Sequence, residues 1–153
     1  MKTKHFLSAL AVAAAFTACV SSESDTLKIT RETQVQVVKD AAALDSSLLA
    51  DIASLSAMRD TMGNDTTLTT DSLAMIKFVA FKSKIGELEG LSAEVRVWRD
   101  NLTLLPSQED MAKGAKNPFG RDNNDEAVKQ KITEYQSQLN ELTERAKTLR
   151  SKE

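Results

Sequence analysis

The chain of 153 residues has one histidine, His5, and one cysteine, Cys19, both within its first nineteen positions. Beyond Cys19 there is no imidazole and no thiol. That excludes Ser-His-Asp and Cys-His nucleophilic catalysis, histidine proton transfer and the usual zinc and haem ligation from the rest of the sequence. A single cysteine also cannot close an internal disulfide. Carboxylate pairs remain available as acid and base, but no pattern in the sequence builds a cleft around them. No catalytic residue, no metal and no cofactor is therefore expected. Aromatic residues make up 5%, too few for base-stacking platforms or broad carbohydrate-binding surfaces. Lys and Arg number 20 against 22 Asp and Glu, so the basic footprint of a nucleic-acid partner is missing. Five glycines and two prolines leave little punctuation, which favours long helices.

The N-terminus carries more information. Lys2 and Lys4 precede FLSALAVAAAF, an apolar or small-residue run at 6–16. Its length suits the core of a signal peptide and falls short of the roughly 20 apolar residues of a membrane-spanning helix. Phe16-Thr17-Ala18-Cys19 resembles the lipobox of bacterial lipoproteins, in which a large apolar residue, two small ones and Cys are read by a lipid transferase and a dedicated peptidase. The resemblance implies a signal peptide at 1–18 and Cys19 as the acylated first residue of the mature chain. The alternative is an ordinary secretory signal with an incidental Cys. Each buried CH₂ favours membrane association by about 0.8 kcal/mol, so two or more acyl chains anchor stably. The lipid bilayer is thus the first expected partner. The expected location is the bacterial cell envelope, lipid-anchored in the outer membrane and facing the periplasm or the surface. VSSESD then begins a tether at 19–31, and its Glu23 and Asp25 resemble a diluted surface-export signal. Without Lys2 and Lys4, 18 basic residues face 22 acidic ones, and Cys19 to Glu153 fits one domain.

Within 32–153 the periodicity predicts an all-α fold, an elongated antiparallel three-helix bundle with helices at about 32–62, 71–104 and 125–151. In the first helix, Val37, Ala41, Leu44, Leu48, Ile52, Leu55, Met58 and Met62 form one stripe. Asp40, Asp45, Asp51 and Asp60 lie off it, and Gly63 is placed as the C′ residue. Residues 26–31 either extend this helix or belong to the tether. Thr70 or Asp71 caps the second helix, whose stripe runs Phe78, Phe81, Ile85, Leu88, Leu91, Val95, Trp98 and Leu102. Gly86 and Gly90 share one face of it, which fits a close helix crossing or a local bend. Pro106 ends it. In the long connection 106–124, Ser107 through Lys113 can form one or two helical turns, stopped by Gly114. The third helix carries Val128, Ile132, Tyr135, Leu139, Leu142, Ala146 and Leu149 in alternating steps of four and three, a heptad seam. That seam either covers the first two helices or serves self-association with another copy. Glu141 and Arg145 form an i,i+4 pair. Helices of this length give a rod roughly 40–50 Å long.

A lipoprotein signal, then AAALDSSLLADIASLSAMRDTM, then LEGLSAEVRVWRDNLTLLP and finally DEAVKQKITEYQSQLNELTERAKTL make a pattern. It resembles the small helical lipoproteins of Bacteroidota-type bacteria often labelled viral A-type inclusion protein. The resemblance covers nearly the whole mature chain and implies no assigned activity. Four tripeptides also resemble the O-glycan acceptor of that bacterial group, with Thr26, Thr61, Thr66 and Ser72 as acceptors; helix capping by Asp and Thr is their plainer explanation. Trp98 and Phe119 are the candidate contacts for an envelope protein partner, since Trp dominates binding hot spots and long loops carry recognition. The plainer alternative is that both pack on the bundle. The basic end, Arg145, Lys147, Arg150 and Lys152, is either a solvated terminus or a contact for anionic headgroups. Met58, Met62 and Met75 are core filler or thioether ligands for copper(I). The expected function is a non-enzymatic, membrane-anchored structural or partner-binding module. The alternative is a lipoprotein that binds a small ligand or metal.

Overall fold

A computed structural model of the chain describes residues 25–65, 71–119 and 125–151. Cys19, Thr66, Thr70 and Lys152 lie outside these residues. The fold is all-α, with no strand among the described residues. There are four helices rather than three: α1 (Asp25–Gly63), α2 (Ser72–Asp100), the short α3 (Gln108–Ala112) and α4 (Asp125–Ser151). The long helices α1, α2 and α4 all pack against one another.

Helix α1 begins at Asp25, so 26–31 extend the helix. At 1.5 Å per residue its 39 residues span about 58 Å. Part of it, Lys28–Gly63, is by length and composition long and apolar enough to cross a membrane, which is compatible with an N-terminal signal or anchor. The same composition suits a helix that two others cover. The helix start at Ser72 is capped by Asp71, whose Oδ1 accepts from the Leu73 N–H at 2.8 Å and the Ala74 N–H at 3.4 Å. Helix α3 forms because Ser107 caps it: its Oγ accepts from the Asp110 N–H at 3.1 Å and donates to Asp110 Oδ2 at 2.6 Å. Gly114, with φ of 91°, then closes a Schellman motif in which the Ala115 N–H reaches Asp110 O and the Gly114 N–H reaches Met111 O.

Cross-chain bonds set the direction of each helix. Gln34 meets Leu105, Asp45 meets Ser92, and the Phe78 ring lies against Gly63, so α1 and α2 run antiparallel. Glu94 meets Arg145 and Trp98 meets Gln138, so α2 and α4 do too. The core joins Val37, Ala41, Leu44 and Leu48 to Leu88, Leu91 and Val95, with α4's seam from Val128 to Ala146 as the third wall. That seam is spent inside the chain, and self-association through it would require opening the bundle.

Helix α4 stops short of the α1–α2 tip. Arg150, one residue before its end, donates to Asp51 Oδ2 and to Ser47 Oγ, both at 2.6 Å, and its carbonyl accepts from Lys84 Nζ at 3.1 Å. Among the described residues, α1 and α2 have only each other beyond that level. Ile52, Leu55, Met62, Phe78 and Phe81 are accordingly half-buried, and Met58, expected in the stripe, is 50% exposed.

Two glycine roles differ from expectation. Gly63 is the last residue of α1 and not a left-handed C′; a Cβ there would lie 3.4 Å from Phe78 Cε2. Its value is room for that ring. At Gly86 and Gly90 a Cβ would meet nothing within 4 Å, so no close crossing within the chain explains them. Helix α2 also ends at Asp100, before 104. Asn101 Nδ2 donates to Val97 O at 2.8 Å, and the residue preceding Pro106 is steered away from helical angles.

Candidate functional site

Three places concentrate polar or aromatic groups. The first is the end of the fold where α2 gives way to the long connection. There α2 delivers Trp98 and α4 delivers Tyr135, their rings edge to face with centroids 6.4 Å apart. Trp98 Nε1 donates to Gln138 Oε1 at 2.8 Å. The Tyr135 hydroxyl accepts from the Thr103 N–H at 3.0 Å and donates to Thr103 O at 3.4 Å. Lys131 Nζ stands 5.3 Å from the Tyr135 centroid. A hydrogen bond from Lys131 to Glu134, 2.8 Å long, raises the lysine pKa above its ordinary value. Phe119 follows an Asx turn, in which Asn117 Oδ1 accepts the Phe119 N–H at 2.9 Å, and packs half-buried against the core. Trp98 is likewise half-buried on the core with its polar atom satisfied. Both candidate contact residues thus do structural work at this end of the molecule, and neither stands out as a free anchor.

Sequence reasoning missed the clamp beside them. Gln34, 4% exposed, accepts the Leu105 N–H on Oε1 at 2.8 Å and donates Nε2 to Leu105 O at 3.2 Å. Thr30 and Gln34 continue the α1 stripe as buried polar residues. They do so where the non-helical segment after α2, whose backbone groups have no helical partners of their own, covers α1. A polar residue in register with an apolar stripe was the available signal.

The second place lies between α1 and α2. Asp45, expected off the stripe, is 8% exposed. Its Oδ1 accepts from Ser92 Oγ at 2.5 Å and lies 3.5 Å from Arg96 Nε, while Arg96 also donates to Ser92 Oγ at 3.2 Å. A buried carboxylate needs such partners. Ser92 is fully buried, so the trio fixes helix register and offers no hydroxyl to a substrate.

The third is the α1–α2 tip. Thr61 is exposed there, its hydroxyl donating to Ala57 O at 2.9 Å, and Ser72 is exposed at the first position of α2. Thr26 lies in the first turn of α1, at the other end of that helix. The tip also holds Met58 and Met75, exposed by 50% and 40%, and half-buried Met62. Among the described residues no group of three or more His, Cys, Asp or Glu side chains is placed to hold a metal ion.

The basic end of α4 is engaged within the fold. Arg145 forks onto Glu94 at 2.6 and 2.7 Å, not onto Glu141 as its spacing suggested. Arg150 holds Asp51, and Lys147 holds Glu144 at 2.7 Å. The hydrogen bond from Arg145 holds the Glu94 carboxyl below its ordinary pKa of 4.5, against a smaller opposing effect of burial. A carboxyl lowered on folding adds stability above its unfolded pKa and loses it as pH falls through the folded value. Glu94→Gln is therefore expected to lose up to about 1 kcal/mol at pH 7, the range of a half-exposed pair. The deficit should close as pH falls through the lowered folded pKa of Glu94. Urea unfolding of both proteins at pH 7 and at successively lower pH checks this.

Comparison with protein-family models, curated proteins and solved structures finds no match.

Proposed function

We propose that the chain is a lipid-anchored envelope protein whose helices serve as a structural or partner-binding module without a catalytic task. In this reading α1, α2 and α4 form an elongated antiparallel three-helix bundle, with α3 a short insertion in the connection from α2 to α4. The observation that carries it is the spacing at the N-terminus: Cys19 closes the apolar run at 6–16, and only residues 20–24 separate it from the start of α1. At no more than about 3.6 Å per residue, that link keeps the Asp25 end of the bundle within reach of the headgroups, and the α1–α2 tip, with Thr61 and Ser72, lies at the opposite end of α1.

Intact-mass analysis of the mature protein tests the anchor. The expected result is a chain beginning at Cys19 with acyl groups on it, found in the membrane fraction, and a Cys19→Ala variant that leaves that fraction. A mature N-terminus elsewhere, without lipid, would end this reading. The small-ligand alternative has one observation in its favour, an open groove of about 520 Å³ between α1 and α3, lined by Lys28, Arg31, Lys39 and Gln108 among others. Three cations against one acid there, Glu32, suit an anionic ligand. A thermal-shift screen of small anions separates the two, since a ligand bound only by the folded state raises the melting temperature.

A further inference from the structure

The open groove between α1 and α3 lies on the part of α1 nearest the link to Cys19. Lys28, Arg31 and Lys39 border it against one acid, Glu32, and α3 contributes only the uncharged Gln108. Asp40 opens on the other side of α1, toward Asn140 of α4, where it accepts from Gln36 Nε2 at 2.7 Å. This local excess of positive charge runs against the chain as a whole, in which 22 acids outnumber 20 Lys and Arg. Arg31 is already engaged within the chain. Lys28 and Lys39, both exposed, are the cations presented to solvent.

Their spacing selects the ligand. Eleven residues make three turns of helix, so the two lysines stand in one line, about 16 Å apart at 1.5 Å per residue. Both side chains lean toward the helix N-terminus, which preserves that separation. A single small anion meets one of them, whereas a surface that repeats anionic groups side by side meets both. Val35, 46% exposed, lies on the same line between them. The apolar stems of the lysines and Val35 can rest against such a surface while the ammonium groups reach its charges.

We propose that the groove side of α1 rests on anionic lipid headgroups, with Lys28 and Lys39 on separate phosphates. This contact builds on the anchored reading. Residues 20–24 span no more than about 18 Å, and Lys39 stands about 21 Å along α1 from Asp25. The acyl chains at Cys19 therefore keep this first part of α1 at the bilayer. Anionic bilayers attract basic residues close to their surface, and the attraction fades within a Debye length.

The acylated protein, purified from its membranes and reconstituted in vesicles, tests the contact. One set of vesicles is phosphatidylcholine alone, the other phosphatidylcholine and phosphatidylglycerol in equal parts. Acetylation of each lysine by a neutral reagent is followed by mass spectrometry. The expected result is that Lys28 and Lys39 react several-fold more slowly in the anionic vesicles and recover at high salt, where screening shortens the attraction. Lys82, exposed on α2 toward the α1–α2 tip, should react alike in both. Val35→Glu sets a second acid between the two lysines at an exposed position. It should remove the protection and leave the melting temperature unchanged. Equal rates in the two kinds of vesicle would overturn the proposal, as would protection that survives Val35→Glu. So would the same protection from inorganic phosphate added to phosphatidylcholine vesicles, which would make the groove a site for a free anion. An acylated protein with unprotected lysines refutes the headgroup contact and leaves the anchor standing; a mature chain without acyl groups refutes the anchor itself.

Discussion

Replacing Leu48 by Ala is expected to cost about 3 kcal/mol, the usual loss when a fully buried leucine leaves a cavity. Met58→Ala, ten residues further along the same stripe, is expected to cost less than about 1 kcal/mol. Both residues obey the same periodicity, so sequence pattern alone gives them equal weight. The structure separates them. Leu48 is 0% exposed in the cluster that α1, α2 and α4 share, whereas Met58 is 50% exposed beyond the last turn of α4. Leu48 also sits one turn after Asp45, whose bonds to Ser92 and Arg96 hold the local register. The surrounding helices are therefore restrained from collapsing into the space that Ala leaves, which puts the cost well above simple transfer of the missing atoms. Urea unfolding of the two variants measures the difference directly, as a shift of midpoint at unchanged slope. Equal losses at the two positions would mean that something covers the α1–α2 tip in solution, and the description of a two-helix tip would have to be given up.

How much of this was legible beforehand follows from what a one-dimensional pattern can encode. The long helices and their buried stripes were readable because apolar residues recur at helical spacing, and α4 buries every seam residue from Val128 to Ala146. Asp71 was readable as a cap because capping is local chemistry, whereas Ser107, read as the first residue of the helical turns, is the cap itself. The length mismatch between α4 and the α1–α2 pair was not, since it depends on where Arg150 lands against Asp51 and Lys84. Gly63 looked like a helix stop because glycine usually is one after a run; its actual use depends on Phe78, fifteen residues away. Arg145 has acids at two distances, Glu141 along its own helix and Glu94 across to α2, and only the packing decides for Glu94. Asp45 was misplaced because its angle on α1 lies at the edge of the stripe, where Ser92 on another helix determines whether a carboxylate can be buried. The acylation proposed for Cys19 and the glycans proposed for Thr26, Thr61, Thr66 and Ser72 would be chemistry done to the chain by other enzymes, which packing does not reveal.

The clamp at Gln34 gives the other large effect. Gln34→Ala is expected to cost about 2–3 kcal/mol, because the Leu105 N–H and C=O both lose their partner inside the fold and carry the desolvation penalty of buried unpaired groups. Amide exchange at Leu105 should quicken along with it, since the 2.8 Å bond to Gln34 Oε1 is what protects that N–H. Two further variants separate hydrogen bonding from volume. Gln34→Leu restores the apolar bulk but pairs neither backbone group, so it should be nearly as unstable as Gln34→Ala. If it matched the native chain, the clamp would reduce to packing. Gln34→Glu keeps an acceptor for the Leu105 N–H, but when ionised it turns a second oxygen toward the Leu105 carbonyl. Burial and that carbonyl both favour the neutral acid in the folded state, which can donate as the amide does. A carboxyl whose pKa is raised on folding gives stability that is present at low pH and lost as pH rises. Gln34→Glu should therefore recover toward the native value as pH falls from 7 to about 4, the reverse of the trend expected for the Glu94–Arg145 pair. Opposite pH slopes at these two positions would show that one carboxyl is held charged by an arginine and the other is held neutral by the backbone it has to satisfy.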